Sequence, residues 1–548
     1  MHTLGTFIEP GIEAGGRGAD GLLVGRRVAN DAFLRALIRH ADVARFLLFV
    51  GEEAQRPGVQ QFVNSLNSDD AARVEVAHRL TLPDRLAAGE ISVLHHESHW
   101  GWFFDLVALR DRFASVHVPV TGQIHSLSYP RMLESYLRGV LAPPGPGDAV
   151  FCSSAAGLAA FEASWKYVAE RCGSEAVLLN CEKPLIPLGV DLDSLDRGAQ
   201  TFPRDALRAR LGLSSQACVV LSMGRFSEYD KMDLFPVVRS FSWLVHSEPS
   251  RDLHLVLAGA RQGTSTSDMV ALWAAAMGVA DRVHLVIDFP PEEKGGWLSA
   301  ADVFVSASDN VQETFGLSVI EAMAMGLPVV VSDLDGYRDT VTDKDVGLRV
   351  RTRPEADLGL LRQFGMTLFE RPLHLLLGQS VSVDPLALQA ALATLCGDGE
   401  VRRAMGERAR SRARVTYGWE RVVPRYEEVW RRLRQRAPQR VQAEPFALDF
   451  GHVFAGHFAP PEHAAEDRPL RLFGDPNAMK FHVHPELRSL FTEADVSHAL
   501  GLLRGGTCTR AELRERLHAS RFERSVRGTL AAQLMVSWLL KQGLVCEH

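Results

Sequence analysis

Short apolar runs rich in Val, Leu and Ile recur along roughly the first 430 residues, each followed by a longer stretch of helical pattern. No strand pattern in this part is joined to the next by a two-residue turn. Strands separated by helices imply a parallel sheet with helical crossovers. The spacing predicts strands at His2 to Ile8, Arg45 to Val50, Ile91 to Leu94, Val116 to Thr121 and Ala149 to Cys152. Helical patterns lie between them, as at Asn30 to His40 and Met132 to Leu141. A break at Leu188-Gly189-Val190-Asp191 ends this unit, and the helix Asp205 to Leu211 leads into a second series. That series has strands at Cys218 to Ser222, Leu253 to Ala258, Val283 to Ile287, Val303 to Ser306 and Val329 to Val331. Their brevity and β-branched content suit strands covered on both faces. Two successive doubly wound units are expected, with a cleft between them at the carboxyl ends of the strands.

The chain's 548 residues suit three or four domain-sized units, and 46% apolar with 23% charged residues is ordinary for a globular protein. A net charge of −7 gives no global attraction for nucleic acid or anionic membranes. Seven cysteines without a C-x-x-C pair argue against a disulfide framework and a structural zinc site. The first residues lack a signal-peptide pattern, and no run approaches the length of a membrane span. A cytoplasmic location is the expectation.

The most informative segment runs from Glu313 through Phe315, Gly316, Leu317 and Glu321 to Gly326 and Pro328, and then into an apolar strand. It reads as loop, helix, stop and buried strand, with Glu313 at the helix start and Glu321 near its last turn. Eight helical residues span about 12 Å, the reach from a transferred sugar to a ribose across a diphosphate. The helix N-terminus offers free N–H groups and a partial positive charge suited to that diphosphate. Gly316 permits close backbone approach. The two carboxylates can accept hydrogen bonds from sugar and ribose hydroxyls.

Taken whole, this segment resembles the signature of the retaining GT-B glycosyltransferases of family 4, the glycosyl transferases group 1. Further matching pieces are Ser222 to Lys231 with Gly224 and Arg225, the hinge-like Pro187 to Asp191, the strand after Asp302, and the turns at Asp335-Gly336 and Val346-Gly347. The likeness covers residues 115–434 well and 1–114 weakly. It implies that Glu321 holds the ribose, Glu313 the donor-sugar hydroxyls, and Arg225 and Lys231 the diphosphate. It also implies retention, and front-face attack is favoured because no dedicated carboxylate nucleophile stands out.

Other signals are thinner. His125, after the strand pattern ending near Thr121, resembles the active-site histidine of related enzymes; a structural role fits it too. Gly15 and Gly16 lie in a Gly-rich stretch after the first strand, readable as part of the donor site or as a flexible turn. His96-Glu97-Ser98-His99 is one residue short of zinc-protease spacing and follows a strand, so it is not read as a zinc site. The loop from Ile287 to Glu293 belongs beside the base but leaves its identity open. Asp191-Leu192-Asp193 and Asp333-Leu334-Asp335 have the spacing of a metal-holding pair, yet read as a helix cap and a turn. No metal and no cofactor is expected, with a nucleoside-diphosphate sugar as donor substrate.

The α/β expectation is therefore GT-B, two Rossmann-like domains facing a cleft, plus a small helical, winged-helix-like bundle. Residues 1–200 form the acceptor domain, completed by a helix at 417–434 in which Pro424 predicts a kink or a later start. Residues 201–416 form the nucleotide-sugar domain, 435–467 a linker and 468–548 the bundle. In the bundle Arg510, Arg514, Arg516, Arg521, Arg524 and Arg527 interleave with Glu512, Glu515 and Glu523, the pattern of a solvated face. No nucleic-acid partner is expected. Partners are the nucleotide sugar and a saccharide, lipid or other hydroxyl acceptor, with self-association through the bundle and peripheral membrane association left open. The rival readings are a sugar-nucleotide epimerase, another GT-B enzyme such as a phosphorylase, and a non-enzymatic binding protein acting through the bundle.

Overall fold

The structure is a computed structural model that describes residues 3–8, 25–141, 143–173, 179–229, 231–262, 266–365, 367–368, 371–436, 453, 456, 468–473 and 481–547. Gly15 and Gly16, and nearly all of the expected linker, lie outside the described residues.

Two six-stranded parallel sheets dominate the fold. The first comprises β1 (Thr3–Phe7), β2 (Arg45–Val50), β3 (Val74–His78), β4 (Val93–His96), β5 (Val120–Gln123) and β6 (Ala149–Phe151), in the order β3-β2-β1-β4-β5-β6. The second comprises β7 (Cys218–Met223), β8 (Leu253–Gly259), β9 (Val283–Ile287), β10 (Val303–Ser306), β11 (Val329–Ser332) and β12 (Gly347–Val350), in the order β12-β11-β10-β7-β8-β9. In both, the order reverses beside the first strand, so loops diverge there and leave a crevice at the carboxyl edge. Central strands such as β2 and β8 are buried along almost their whole length, as their continuous apolar runs require.

Four sequence expectations need correction, the first being the strand expected at Val116 to Thr121, which runs from Val120 to Gln123. The strand expected at Ile91 to Leu94 runs from Val93 to His96, so two histidines lie inside it. Strands β3 and β12 were not foreseen, and Gly347, expected in a turn, begins β12. Both are edge strands that carry charges in place of an apolar run. Glu75 of β3 pairs with Arg45 and Arg85, and Arg349 of β12 lies 3.5 Å from Asp333.

The helix Trp419–Arg434 crosses back onto the first sheet. It starts after Gly418, and Pro424 lies inside it with the helix continuing beyond. Tyr426 donates to Gln123 at 2.8 Å and Trp430 donates to Thr121 at 3.1 Å. Both rings are fully buried, in a core shared with Phe33, Phe46 and Phe151. Side chains of this kind stabilise the fold by about 1.5–3 kcal/mol or more each through apolar burial. Asp191 caps the helix Leu192–Thr201 by accepting from Ser194 N at 2.9 Å, as its position suggested, and Asp384 caps Pro385–Gly397.

A small pair, β13 (Thr352–Pro354) with β14 (Val381–Val383), flanks the second sheet. The last region has its own core around Leu500, Leu513, Met535 and Leu539. There β15 (Leu470–Leu472) pairs antiparallel with β16 (Val545–Glu547) beside helices Glu493–Leu502, Arg510–Ser520 and Val526–Lys541. Thr509 caps the second of these in a capping box with Glu512. Among the described residues no helix is long and apolar enough to cross a membrane.

Candidate active site

The carboxyl ends of β7 and β10 bring the second domain's site together. Gly224 and Arg225 follow directly on strand β7, and the loop beyond them returns Lys231 over the strand end. A Cβ on Gly224 would lie 3.1 Å from Lys231 Cε, so a bare backbone lets the lysine lie flat across it. Lys231 Nζ then forms a direct ion pair with Glu313. Both side chains are largely buried, at 11% and 19% exposure. Burial alone pushes the Glu313 carboxyl up, but Lys231 and then Arg225 outweigh it and hold the group below the usual carboxylate range. Burial pulls Lys231 down, Glu313 more than offsets it, and the ammonium is held above its ordinary value. The pair is therefore ionised at neutral pH.

Glu313 is not on the helix. It sits in the preceding loop, with Gly316 as N-cap and the helix spanning Leu317–Ala324. The sequence reading that spaced Glu313 and Glu321 along eight helical residues is corrected accordingly. Gly316 has φ +91°, and a Cβ there would lie 2.3 Å from the Tyr337 ring. The left-handed cap lets the chain turn sharply from the Glu313 loop into the helix, which keeps the helix N-terminus beside the Lys231–Glu313 pair. Phe315 is buried and packs at 5.8 Å on Tyr417, so its ring anchors the loop. Leu317 begins the helix and is half-buried.

Glu321 lies one turn further on and accepts from Lys294 Nζ at 2.8 Å. Lys294 was not singled out from the sequence. Its signal was the Pro290-Pro291-Glu292-Glu293 turn before it, in the loop assigned to the base. Tyr337 was also missed, although the Asp335-Gly336 turn before it was noted. Its hydroxyl lies 2.7 Å from Ser306 Oγ, and burial, then Glu313, oppose its ionisation. Asp335 is pushed up to about 8, first by burial and then by Glu313, and its neighbour Asp333 lies 3.6 Å from Arg338.

The first domain meets this site through the loop after β5. The backbone carbonyl of His125 accepts from Thr314 Oγ1 at 2.9 Å, next to Glu313 in sequence. Gln312 donates to Tyr129 at 2.6 Å, and His374 stacks edge-on against Tyr129 at 4.7 Å. The His125 backbone thus meets the loop that carries Glu313, and Glu313 in turn pairs with Lys231 just before the start of Leu317–Ala324. The His96 region holds no metal cluster: His96 Nδ1 lies 2.7 Å from the Ser98 carbonyl and His99 Nε2 lies 2.7 Å from Tyr136. Burial holds His95 down to about 3, with His96 and His125 adding to the effect, so it is neutral.

The sequence from 217 to 359 matches the family model described as glycosyl transferases group 1. The chain carries a glycosyl transferases group 1 domain. That domain holds β7 to β12 and every site residue of the second sheet named above. The chain is 33% identical over 175 residues to a D-inositol 3-phosphate glycosyltransferase of Nocardia farcinica, covering 32% of this chain and 37% of that protein. A relative with the same description from Kineococcus radiotolerans is 32% identical over 261 residues, 47% of this chain and 53% of that protein. The matches thus span about half or less of these relatives' length. Among solved structures, a glycosyltransferase from Rickettsia africae superposes with a TM-score of 0.56 at 13% identity, over 80% of this chain and 99% of that one. Anabaena HepE, solved with UDP, gives 0.52 at 15% identity, over 79% and 100%. These likenesses and the two six-stranded parallel sheets give the chain the GT-B fold.

Asp309, at the end of β10, supplies a test of the site's electrostatics. Burial, then the nearby Asp233 charge, push it up to about 7, although the Asp233 N–H donates to it at 3.2 Å. The folded chain keeps this proton up to about pH 7, whereas an unfolded aspartate loses it near pH 4. The native state then binds more protons between those values, so this group costs stability as pH rises through the window. Asp309→Asn should raise the melting temperature at pH 8 and leave it unchanged at pH 4 or below. An equal shift at both pH values, read by scanning calorimetry, contradicts the assignment.

Proposed function

We propose that this chain transfers a sugar from a nucleoside diphosphate to a hydroxyl acceptor, with retention at the sugar carbon. The observation that carries the proposal is the buried Lys231–Glu313 ion pair, set beside Arg225 and the N-terminus of Leu317–Ala324 in the interdomain cleft. An ionised lysine and a helix N-terminus at one point form a site for a diphosphate. Arg225 and Lys231 neutralise the charge that develops on the leaving group, in the manner of a preorganised oxyanion site. Glu313, kept ionised, accepts hydrogen bonds from the donor sugar. Glu321 exchanges Lys294 for the ribose hydroxyls. His125, on the opposite wall, faces the transferred sugar.

Departure of the diphosphate gives an oxocarbenium-like carbon. The acceptor hydroxyl attacks from the face the phosphate leaves, and its proton passes to the departing phosphate oxygen. The UDP bound by HepE supports a sugar-nucleotide donor, and the D-inositol 3-phosphate glycosyltransferase relatives support glycosyl transfer. The two cations and the helix terminus supply the positive charge that a metal would otherwise bring. Purified protein incubated with UDP-, GDP- and ADP-sugars should release nucleoside diphosphate and form a glycosylated acceptor at an undiminished rate in excess EDTA. Activity abolished by EDTA and restored by Mg²⁺ or Mn²⁺ contradicts the charge argument. Interconversion of sugar nucleotides without acceptor glycosylation would favour the epimerase reading.

A further inference from the structure

We infer that the C-terminal bundle is the outer wall of the acceptor side of the cleft, and that with Trp102 it selects a saccharide acceptor longer than one ring. The inference rests on the transferase reading above.

The bundle is fixed to the first domain by two reciprocal caps. Glu486, from the bundle, accepts from Glu53 N at 2.8 Å and Ala54 N at 3.4 Å, at the start of the turn that follows β2. Asp84, from the first domain, accepts from Val526 N at 2.7 Å and Arg527 N at 3.2 Å, at the start of Val526–Lys541. Each carboxylate therefore satisfies backbone donors of the other unit and meets the positive end of a helical turn.

The place of docking matters. Glu53 follows the carboxyl end of β2, and Asp84 lies just beyond that of β3, so the bundle stands at the edge of the sheet that faces the cleft. Glu486 reaches His78, the last residue of β3, where its charge opposes the lowering of the imidazole pKa by burial. The next residue, Arg79, lies with its guanidinium 4.5 Å over Phe7 and 5.4 Å over Trp102. Trp102 follows β4 and is 49% exposed, an unusual state for a tryptophan stacked in this way. The floor between bundle and cleft therefore presents an aromatic face, held by an arginine, of the kind that packs on the apolar face of a sugar ring.

Strand order sets the scale. β2 lies three positions from β5, which precedes His125. At about 4.8 Å per strand the bundle begins roughly 14 Å from the reacting end. A single ring held at His125 does not reach Trp102 and the wall together; an oligosaccharide does.

The test uses the full chain and three variants: Trp102→Ala, Trp102→Phe, and the charge reversal Asp84→Lys/Glu486→Lys, which sets lysines against both helical starts. Each is first titrated with UDP, GDP and ADP, then applied to immobilised mono- to tetrasaccharides. Nucleotide affinity should be the same in all four proteins. Wild type should retain one or more glycans of two rings or more at least tenfold better than any monosaccharide. Trp102→Ala should lose that preference, Trp102→Phe should keep most of it, and the charge reversal should lose it while proteolysis between 437 and 467 quickens. Equal retention of mono- and oligosaccharides by wild type, retention of no glycan, or an unchanged preference in the charge reversal once its bundle is cleavable, overturns the inference. Failure of all three nucleotides to bind wild type counts instead against the transferase reading.

Discussion

Lys231→Ala should lower turnover by roughly 10²–10³, the loss typical of removing one preorganised donor from a developing anion. It should also destabilise the fold. Removing one partner of a buried ion pair leaves the other charge uncompensated, at a cost of about 3–5 kcal/mol. Glu313 is that partner, and it is held ionised mainly by Lys231. The double variant Lys231→Ala/Glu313→Gln should therefore recover much of the lost stability, because no buried charge remains, while turnover stays at the floor. This split separates a catalytic role from a structural one. A double variant as unstable as the single one, or a single variant with normal turnover, contradicts the assignment. Thermal unfolding and initial rates at saturating donor are the two readouts.

Gly316→Ala should be nearly as damaging, for a different reason. A side chain at φ +91° costs about 1–2 kcal/mol. The new methyl would also lie 2.3 Å from the Tyr337 ring, whose hydroxyl is bonded to Ser306 and which is fully buried. Overpacking of this kind adds about 1–3 kcal/mol. The total, roughly 2–5 kcal/mol, should lower the melting temperature by about 2–4 °C per kcal/mol. The relaxation open to the chain is to swing the Glu313 loop away from the helix N-terminus, so nucleotide affinity should fall with stability. A variant with wild-type affinity and melting temperature would show that the loop tolerates the change.

Much of this architecture was legible in the residues. The buried strands of both sheets announced themselves because parallel strands covered on two faces need apolar runs, as in β2, β10 and β11. The edge strands β3 and β12 did not, since Glu75 and Arg349 interrupt the run that marks a buried strand. The helix from Leu317 was readable from its Gly and Pro stops, but its start was misplaced by four residues. Gly316, noted only for close approach, is the left-handed cap that leaves Glu313 in the loop. Lys231 and Glu313 were both singled out as binding groups. Their mutual pairing was not visible, because 82 residues separate them and only the return of the chain to adjacent strand ends brings them together. Lys294 escaped for the same reason: its partner Glu321 lies 27 residues away on another element. The bundle's helices were predicted, whereas its docking through Asp84 and Glu486 rests on single carboxylates with no local signature.

The central claim is that the helix Leu317–Ala324 presents Glu321 to the ribose of a nucleotide. Glu321 is 17% exposed and pairs with Lys294, so a ribose must compete for a carboxylate already ordered and aimed. Hydrogen bonds to a charged group contribute about 1.5–3 kcal/mol each. Calorimetric titration of UDP, GDP and ADP into wild type and Glu321→Ala measures this directly. At least one nucleotide should bind wild type, and its affinity should fall about tenfold or more in the variant. Equal affinity in the two proteins, or no binding of any of the three to wild type, would contradict the account.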